Sequence, residues 1–240
     1  MNKLREFEQQ CFLTSCCDIP LLLHPQRAVY WAAQQTLLVA DVHLGKEQAF
    51  ARAGSAIPAG PSEADIDRLS DLVEKSGAAR LLVLGDLIHA RPKSSESWLR
   101  NLSLFLDKHK QLSVEVVAGN HDKPAGQQLI DDRIRWHQHP LHEGALVFQH
   151  EPGTDPRGHV MCGHIHPCYR LTVSRNDTVR APIFWFGQQY SVLPSFGQFT
   201  GGYTVSPAKH DRLYMVGPDC VLPAYGHKSS VTATKLLQSS

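Results

Sequence analysis

Three short apolar runs, each ending at a polar residue, constrain the fold of this chain more than any other feature. The runs cover Thr36–Ala40, Arg80–Leu84 and Val114–Ala118. Continuous apolar character over about five residues is typical of a strand that is buried on both faces, as in a parallel sheet. Each run therefore predicts a buried strand, and the polar residue after it marks where that strand ends.

Two amphipathic segments lie between these runs and predict helices. The first begins near Ser62, where Asp65 completes an imperfect capping box, and ends at Gly77. The second extends from about Ser95 to Lys110, with apolar residues at helical spacing. Strands that alternate with helices need crossover connections, so the three strands are expected to pair in parallel.

The second half of the chain has a different pattern. It contains short candidate strands separated by turn residues, and little of it has helical periodicity. This pattern predicts a second sheet packed on the first, in an α/β sandwich with the helices outside. The candidate strands are Ala145–Phe148, His159–Met161, Leu171–Val173, Ile183–Phe186, Tyr190–Leu193, Tyr203–Val205 and Arg212–Val216.

Composition narrows the class of protein. Basic and acidic residues number 24 and 23, so net charge neither supports a nucleic-acid partner nor excludes a local basic groove. Six irregularly spaced cysteines form no Cys-x-x-Cys pair, which favours reduced thiols in a cytoplasmic protein. We expect no membrane segment and no signal peptide. We also expect one domain over residues 1–240, with its core at about 19–217 and a flexible tail at about 226–240.

Residues capable of binding metal follow each of the three predicted strands. Asp41 and His43 follow the first strand, Asp86 follows the second, and Asn120 follows the third. In an extended chain, residues i and i+2 point to the same side, so Asp41 and His43 can face one ion. The carboxyl ends of strands in an open α/β sheet border a ligand crevice, where all of these side chains would meet.

Two segments of the second half add imidazoles to this set. His150 follows one short strand, and His164 and His166 follow another with the same i, i+2 spacing. His142 and His159 are nearby alternatives to His150. Each segment alone is explained by ordinary turns or helix caps. Together, carboxylates, an amide and imidazoles form a ligand set for Mn, Fe, Zn or Ni rather than Ca.

In their order, these five segments resemble the signature motifs of calcineurin-like metallophosphoesterases. The resemblance implies a four-layer αββα sandwich and a centre of two divalent metal ions, where a metal-bridging hydroxide attacks a phosphodiester bond. It also implies that Asp86 bridges the two ions. One ion would take Asp41, His43, Asp86 and His166, and the other Asp86, Asn120, His150 and His164.

The Gly119–Asp122 motif supplies two further residues, which the resemblance places outside the metal ligands. It implies that His121 faces the phosphate and assists the leaving oxygen as an acid or by stabilising charge. Asp122 would then hold the imidazole of His121 in its orientation and raise its basicity. Cys162 and Cys168, although close to the last histidine motif, are predicted not to bind metal.

The segments around these motifs resemble a narrower family, the bacterial ligase-associated DNA-damage-response endonucleases, often called PdeM. The family implies a manganese-dependent phosphodiesterase that nicks DNA during repair, with a DNA ligase and a helicase in the same pathway. The most specific segment, LPSFGQFTGG, lies outside the predicted metal site. The resemblance rests on DVHLGKEQAF from Asp41, RAGSAIPAG from Arg52, FWF from Phe184 and LPSFGQFTGG from Leu193.

Positive side chains near the metal-binding motifs are candidates for contacts with substrate phosphates. Each of them alone is also explained as a solvated surface residue. Trp136 is a candidate for base stacking, whereas Trp98 and Trp185 are expected in the core. The basic candidates are Lys46, Arg52, Arg91 and Lys93.

Three alternatives differ from this prediction in specific residues. Small-molecule phosphodiesterases and pyrophosphatases include the UDP-diacylglucosamine pyrophosphatases of the lipid A pathway, which carry Arg in place of His121. Protein serine/threonine phosphatases carry Asp-Arg-Gly where Leu87–Ala90 stands here. A non-catalytic scaffold of the same fold loses metal ligands or the catalytic histidine, and this sequence keeps them. A small phosphodiester stays open as an alternative substrate to DNA.

Overall fold

Two sheets form the centre of the fold in a computed structural model that describes residues 3–57, 60–172 and 177–225. The first sheet has seven strands in sequence order, antiparallel up to the fourth strand and parallel from there on. They are β1 (Phe12–Cys16), β2 (Ile19–His24), β3 (Ala28–Trp31), β4 (Thr36–Val39), β5 (Arg80–Leu84), β6 (Ser113–Val117) and β7 (Ile134–His137).

The second sheet is built from the second half of the chain, as predicted. Its strands are β8 (Leu141–Glu143), β9 (Leu146–Phe148), β10 (His159–Cys162), β11 (Pro167–Thr172), β12 (Thr178–Phe186), β13 (Tyr190–Val192), β14 (Tyr203–Thr204), β15 (Arg212–Val216) and β16 (Val221–Tyr225). The strands β9, β10 and β13 are parallel neighbours at its middle. Val173 of one predicted strand lies outside the described residues, as does the tail expected at 226–240.

The helices are α1 (Lys3–Gln10), α2 (Lys46–Arg52), α3 (Pro61–Ser76), α4 (Ser97–Lys108) and the short α5 (Pro124–Gln127), with a 3-10 turn at Ala32–Gln34. As predicted, α3 and α4 connect the parallel strands β4, β5 and β6. None of the helices in the described part of the chain combines the length and apolar character that crossing a membrane requires.

The start of α3 differs from the predicted capping box. Pro61 occupies the first turn, and the Ser62 side chain donates a hydrogen bond to Glu47 at 2.8 Å instead of capping the helix. Ser62 also accepts a hydrogen bond from the backbone of Gly45 at 2.8 Å. This side chain therefore fixes the start of α2 against α3. The predicted C-terminal cap at Gly77 is confirmed, with a φ of +65°.

The N-terminal region, residues 3–34, contains α1 and three strands that the sequence analysis did not assign. Its hairpins lack the Asn-Gly or Asp-Gly pairs by which such turns are commonly found. The turn between β1 and β2 is instead formed by Cys17 and Asp18, both with positive φ. Phe7 of α1 is buried in the same apolar cluster as the helices α3 and α4, so this region is part of the packed fold.

Apolar side chains pack on both faces of the first sheet. On one face, Leu37 packs in a cluster with Ile66 of α3 and Trp98 of α4. On the other face, Leu38 packs in a cluster with Phe148 of the second sheet. Burial of one such side chain stabilises the fold by about 1.5–3 kcal/mol. The predicted α/β sandwich of two sheets with external helices is confirmed, and it brings the carboxyl ends of β4, β5, β6, β9 and β10 to one end.

Candidate metal centre

The seven predicted metal ligands meet at the carboxyl ends of strands from both sheets. His43 and Asp86 approach within 3.7 Å, and His166 lies 3.5 Å from Asp41. His150 lies 3.5 Å from Asp86, and its Nε2 is also 2.9 Å from Asn120 Oδ1 and 3.0 Å from His164 Nδ1. Oxygen and nitrogen atoms of five separate segments therefore face a common centre.

Asp41, His43 and Asp86 reach this centre through an unusual backbone conformation. Their φ angles are +54°, +55° and +53°, in the left-handed region that non-glycine residues rarely adopt. The extended i, i+2 geometry predicted for Asp41 and His43 is therefore wrong, because both residues lie in tight turns after β4. His164 and His166 also have positive φ. Such strain clusters where the surrounding structure holds functional side chains in place.

Hydrogen bonds determine which ring nitrogens of His150 and His166 face the centre. His150 Nδ1 lies 3.2 Å from the carbonyl of Leu84, and His166 Nδ1 lies 3.2 Å from the carbonyl of Gly201. A carbonyl only accepts hydrogen bonds, so both Nδ1 atoms donate to the backbone and both Nε2 atoms are directed at the centre. A backbone carbonyl on the second nitrogen is typical of metal-binding histidines.

The two alternatives to His150 lie elsewhere. His142 Nε2 is 2.9 Å from Asp155, and His159 Nε2 is 2.8 Å from the hydroxyl of Ser191. The structure thus brings His150 to the centre and leaves both alternatives outside it. A side chain at Gly85 would overlap the His150 ring, which explains why glycine precedes Asp86.

The Leu193–Gly202 segment contacts the centre directly, although the sequence analysis placed it outside the metal site. Ser195 donates its hydroxyl to the carbonyl of Asp41 at 2.8 Å, and the amide of Gly197 donates to the same carbonyl at 3.1 Å. The carbonyl of Gly201 accepts from His166. The segment therefore supports ligands from both sheets.

Two arginines hold the Leu193–Gly202 segment from behind. Arg27, from the turn between β2 and β3, donates to the carbonyls of Ser195 and Gly197 at 3.1 and 3.4 Å. Arg68 of α3 donates to the carbonyl of Phe196 and lies 3.9 Å above its ring. Sequence patterns gave no signal for these residues, because hydrogen bonds to backbone carbonyls do not require any motif.

His121 lies at the edge of the centre, where its ring nitrogen is within 4.8 Å of ring nitrogens of His43 and His89. Its backbone amide donates to Asp86 Oδ1 at 2.9 Å, and its Nδ1 lies 2.7 Å from the carbonyl of His89. The His89 ring stacks on the His121 ring at 4.6 Å. These contacts fix the imidazole with Nδ1 protonated, which leaves Nε2 for contact with a ligand. His89 was not selected from the sequence, although it stands three residues after Asp86.

Asp122 has a different role from the one expected. Its buried carboxylate accepts hydrogen bonds from the backbone amides of Leu87, Ile88 and Gly119 at 3.3, 3.0 and 2.9 Å. It therefore joins the loop after β5 to the loop after β6. The backbone of His89, rather than Asp122, orients the His121 imidazole.

The four basic candidates for phosphate contacts differ in their burial and in their ion-pair partners. Lys46 is half-buried at the start of α2, where burial lowers its pKa while the carboxylates of Asp86 and Asp41 act in the opposite direction. Arg52 forms an ion pair with Glu96. Lys46 is therefore near enough to the carboxylates of the centre for their charges to act on it, and Arg52 is engaged elsewhere. Two further candidates, Arg91 and Lys93, are exposed in the segment before α4.

Aromatic side chains other than the predicted candidates lie beside the centre. Trp98 is fully buried and donates to Glu96, as expected for a core residue. Trp136 packs partly buried against the helix-side cluster, and Trp185 donates to Asp211. Beside the centre, exposed Phe50 of α2 contacts the rings of His89 and Phe199 at centroid distances of 5.9 and 6.0 Å.

The side chains of the centre fit divalent metal ions. Burial and neighbouring basic groups lower the pKa of His43 to about 2, so this imidazole is neutral and able to bind metal. His43 Nε2 and His166 Nε2 lie 3.2 Å apart, a spacing that suits two ligands of one ion. The sets Asp41–His43–His166 and Asp41–Asp86–His150 each bring three potential ligand atoms within 4.8 Å of one another.

Comparisons with known proteins agree with this geometry. The family model for calcineurin-like phosphoesterases matches residues 35–228. The crystal structure of the Pseudomonas putida nuclease MPE has a TM-score of 0.76 and 34% identity, covering 89% of this chain and 99% of that chain. Yfce, a phosphoesterase from E. coli, has a TM-score of 0.41 and 17% identity, covering 78% of this chain and 90% of that chain. Among curated proteins, none matches the chain significantly.

The matched residues include the complete candidate centre, from Asp41 to His166. They also include the Leu193–Gly202 segment that supports it. The carboxylates, amide and imidazoles found together here are the groups that hold divalent metals in a hydrolytic site. The chain belongs to the calcineurin-like phosphoesterase family and is a metal-dependent phosphoesterase.

Proposed function

We propose that this phosphoesterase cleaves phosphodiester bonds of DNA as a manganese-dependent endonuclease. The observation that carries the proposal is a row of aromatic rings, Phe199, Phe50, His89 and His121, that leads from the surface to the metal centre. A small phosphodiester needs no such extended surface, whereas nucleic acids bind by stacking their bases on aromatic side chains. The similarity to a bacterial nuclease supports the same substrate class.

Each metal ion would take ligands from both sheets. Asp41, His43, Asp86 and His166 would hold one ion, and Asp86, Asn120, His150 and His164 the other. When bound, two such ions activate a water and stabilise the charge of the phosphoryl oxygens. The choice of manganese rests on the mixed oxygen and nitrogen ligand set and on the family resemblance, with iron, zinc and nickel as alternatives.

His121 would act on the substrate rather than on a metal ion. The carbonyl of His89 keeps Nδ1 protonated, so Nε2 is the atom that faces the phosphate. In its protonated form, Nε2 would donate a proton to the leaving oxygen, which supports departure of a poor leaving group. Lys46, half-buried next to Asp41 and Asp86, would contact a phosphate oxygen by charge.

The test compares substrates of different size and leaving group. Manganese-loaded protein is assayed on bis-p-nitrophenyl phosphate, p-nitrophenyl phosphate, and circular DNA in single-stranded and supercoiled form. Cleavage of the diester and of circular DNA supports the proposal. Activity on the monoester alone would contradict a phosphodiesterase, and diester cleavage without DNA cleavage would favour a small-molecule substrate.

A double variant tests how much the aromatic row contributes to DNA cleavage. Phe50→Ala with Phe199→Ala should lower DNA cleavage about 10-fold, because stacking of one base contributes about 1–3 kcal/mol. Hydrolysis of bis-p-nitrophenyl phosphate should stay unchanged. Leu104→Ala removes an exposed apolar side chain from α4 and serves as the matched control. Equal losses on both substrates would mean that the phenylalanines stabilise the fold instead.

We further propose that the nuclease acts in DNA repair in the cytoplasm, with a DNA ligase and a helicase of the same pathway. The family resemblance of the segments around the centre supports this step. Deletion of the gene should increase sensitivity to DNA damage, and the Asp86→Asn variant should fail to restore resistance. Full resistance in the deletion strain would argue against a repair function.

A further inference from the structure

The turn between β1 and β2 places two adjacent cysteines at one end of the space between the sheets. Cys16 ends β1 and is buried, whereas Cys17 occupies the turn and is exposed. Cys17 has a φ of +49°, a conformation that side chains other than Asn, Asp and Gly rarely adopt. The Cys17 sulfur lies within 4.8 Å of the Cys16 sulfur.

His159 approaches the two thiols from the other sheet. It begins β10, where Met161 faces the space between the sheets and Val160 faces away. Alternation along the strand therefore directs His159 to the inner side, towards Cys16. The Cys16 and Cys17 sulfurs and a ring nitrogen of His159 all lie within 4.8 Å of one another.

The His159 ring is held in the way that metal-binding histidines are held. Its Nε2 lies 2.8 Å from the hydroxyl of Ser191. This contact with Ser191 fixes the orientation of the imidazole beside the thiols, as outer hydrogen-bond partners do in metal sites.

We propose that Cys16, Cys17 and His159 form a zinc-type metal site, separate from the phosphoesterase centre. Two thiols and an imidazole are the ligands that zinc prefers in proteins, and three protein ligands leave a fourth position for water. The exposed thiol of Cys17 gives this position access to solvent. An ion here would join the β1–β2 hairpin to the second sheet.

The proposed site does not share ligands with the phosphoesterase centre. His159 begins β10, whereas His164 follows the other end of that strand. The two sites also differ in chemistry, because the seven proposed ligands of the phosphoesterase centre include no sulfur. A sulfur-to-metal signal therefore distinguishes them, whether or not the proposed nuclease function is correct.

The experiment is a cobalt titration of the full chain, reduced and freed of metal by a chelator. Cobalt bound by thiolate gives an intense near-ultraviolet charge-transfer band, which ligation by oxygen and nitrogen does not give. We expect this band in the wild-type protein, with loss of the band when zinc is added as competitor. Cys17→Ser and His159→Gln should each weaken cobalt binding and diminish the band, and Cys16→Ser should do the same.

The controls separate this site from the other cysteines and from the phosphoesterase centre. Cys162→Ser with Cys168→Ser, and Asp86→Asn, should keep the band. Cys17 lies in an exposed turn, so its variant tests the proposal even if Cys16→Ser does not fold. Absence of the band in the wild type, its persistence in Cys17→Ser, or its loss only in the Cys162/Cys168 variant would each overturn the proposal.

Discussion

The metal centre and the N-terminal region differ in how clearly their roles can be recognised in the sequence. The centre is formed by short motifs, each directly after a strand, and its residues fall within the part of the chain that matches the family model. The N-terminal region, residues 3–34, precedes that part and contains no recognisable motif. It nevertheless supplies Arg27, which hydrogen-bonds to the segment behind Asp41. Reactive groups are thus encoded locally, whereas their support comes from distant parts of the chain.

Buried histidines in the two regions differ in the partners of their ring nitrogens. His43 is neutral because of burial and neighbouring basic groups. Its Nε2 lies 3.2 Å from Nε2 of His166, and its Nδ1 lies 3.3 Å from Nδ1 of His89. His24 is also buried and has a pKa lowered to about 4. Its nitrogens, however, are both engaged within the N-terminal region, by Gln10 and by the amide of Gln26. The same residue type is a proposed metal ligand in one environment and a structural residue in the other.

The largest effect is expected for Asp86→Asn, at the junction of the two proposed metal shells. Asn keeps the shape but removes the charge that two cations need, so turnover of bis-p-nitrophenyl phosphate should fall about 1,000-fold or more. Metal analysis after gel filtration should show reduced occupancy. Full activity in the purified variant would contradict the proposed centre.

His121→Ala should have the next largest effect. Loss of an acid near the leaving oxygen lowers the rate by about 100-fold or more, measured on DNA because its leaving group is poor. Metal content should stay at the wild-type value, since His121 is not among the seven proposed metal ligands. A parallel loss of metal would instead identify His121 as a ligand.

Arg27→Met tests whether the N-terminal region supports the centre. Hydrogen bonds from a charged group each contribute about 1.5–3 kcal/mol, so the free energy of unfolding should fall by roughly that amount. Displacement of Ser195 and Asp41 should also lower turnover several-fold. Arg5→Met, at an exposed position of α1, is the control for denaturant unfolding and kinetics. Unchanged stability in Arg27→Met would show that the two regions are independent.

The smallest expected effect concerns stability and pH at His24, away from the centre. Because its pKa is lower in the folded state than the usual 6.5, the unfolded chain binds the proton first as pH falls. Stability is therefore complete above pH 6.5 and is lost as pH falls towards 4. Between pH 7 and pH 5 the loss should be about 2 kcal/mol.

His24→Gln removes this contribution to the pH dependence. Urea unfolding of chelator-treated protein at both pH values measures it without interference from metal release. His210→Gln, at an exposed position, should keep the wild-type dependence. An identical decrease in wild type and His24→Gln would show that other groups cause it.

Much of the fold and of the centre was predictable because it follows from local patterns. The parallel strands β4, β5 and β6 were located within one or two residues, since buried strands have continuous apolar sequences. The capping box at Ser62 was wrong because a distant carboxylate, that of Glu47, competes for its hydroxyl. The role expected for Asp122 also failed, because three backbone amides surround its carboxylate.

The sequence by itself indicated the chemistry of this protein, because the identity and order of Asp41, Asp86, Asn120 and four histidines define the proposed ligand set. Only the tertiary structure decided how these groups are held. It selected His150 from its neighbours, turned the backbone of Asp41 and His43 to positive φ, and placed the Leu193–Gly202 segment behind them. It also brought Cys16 and Cys17 to His159. These contacts join residues far apart in the chain, and burial and backbone hydrogen bonds form them without any local pattern.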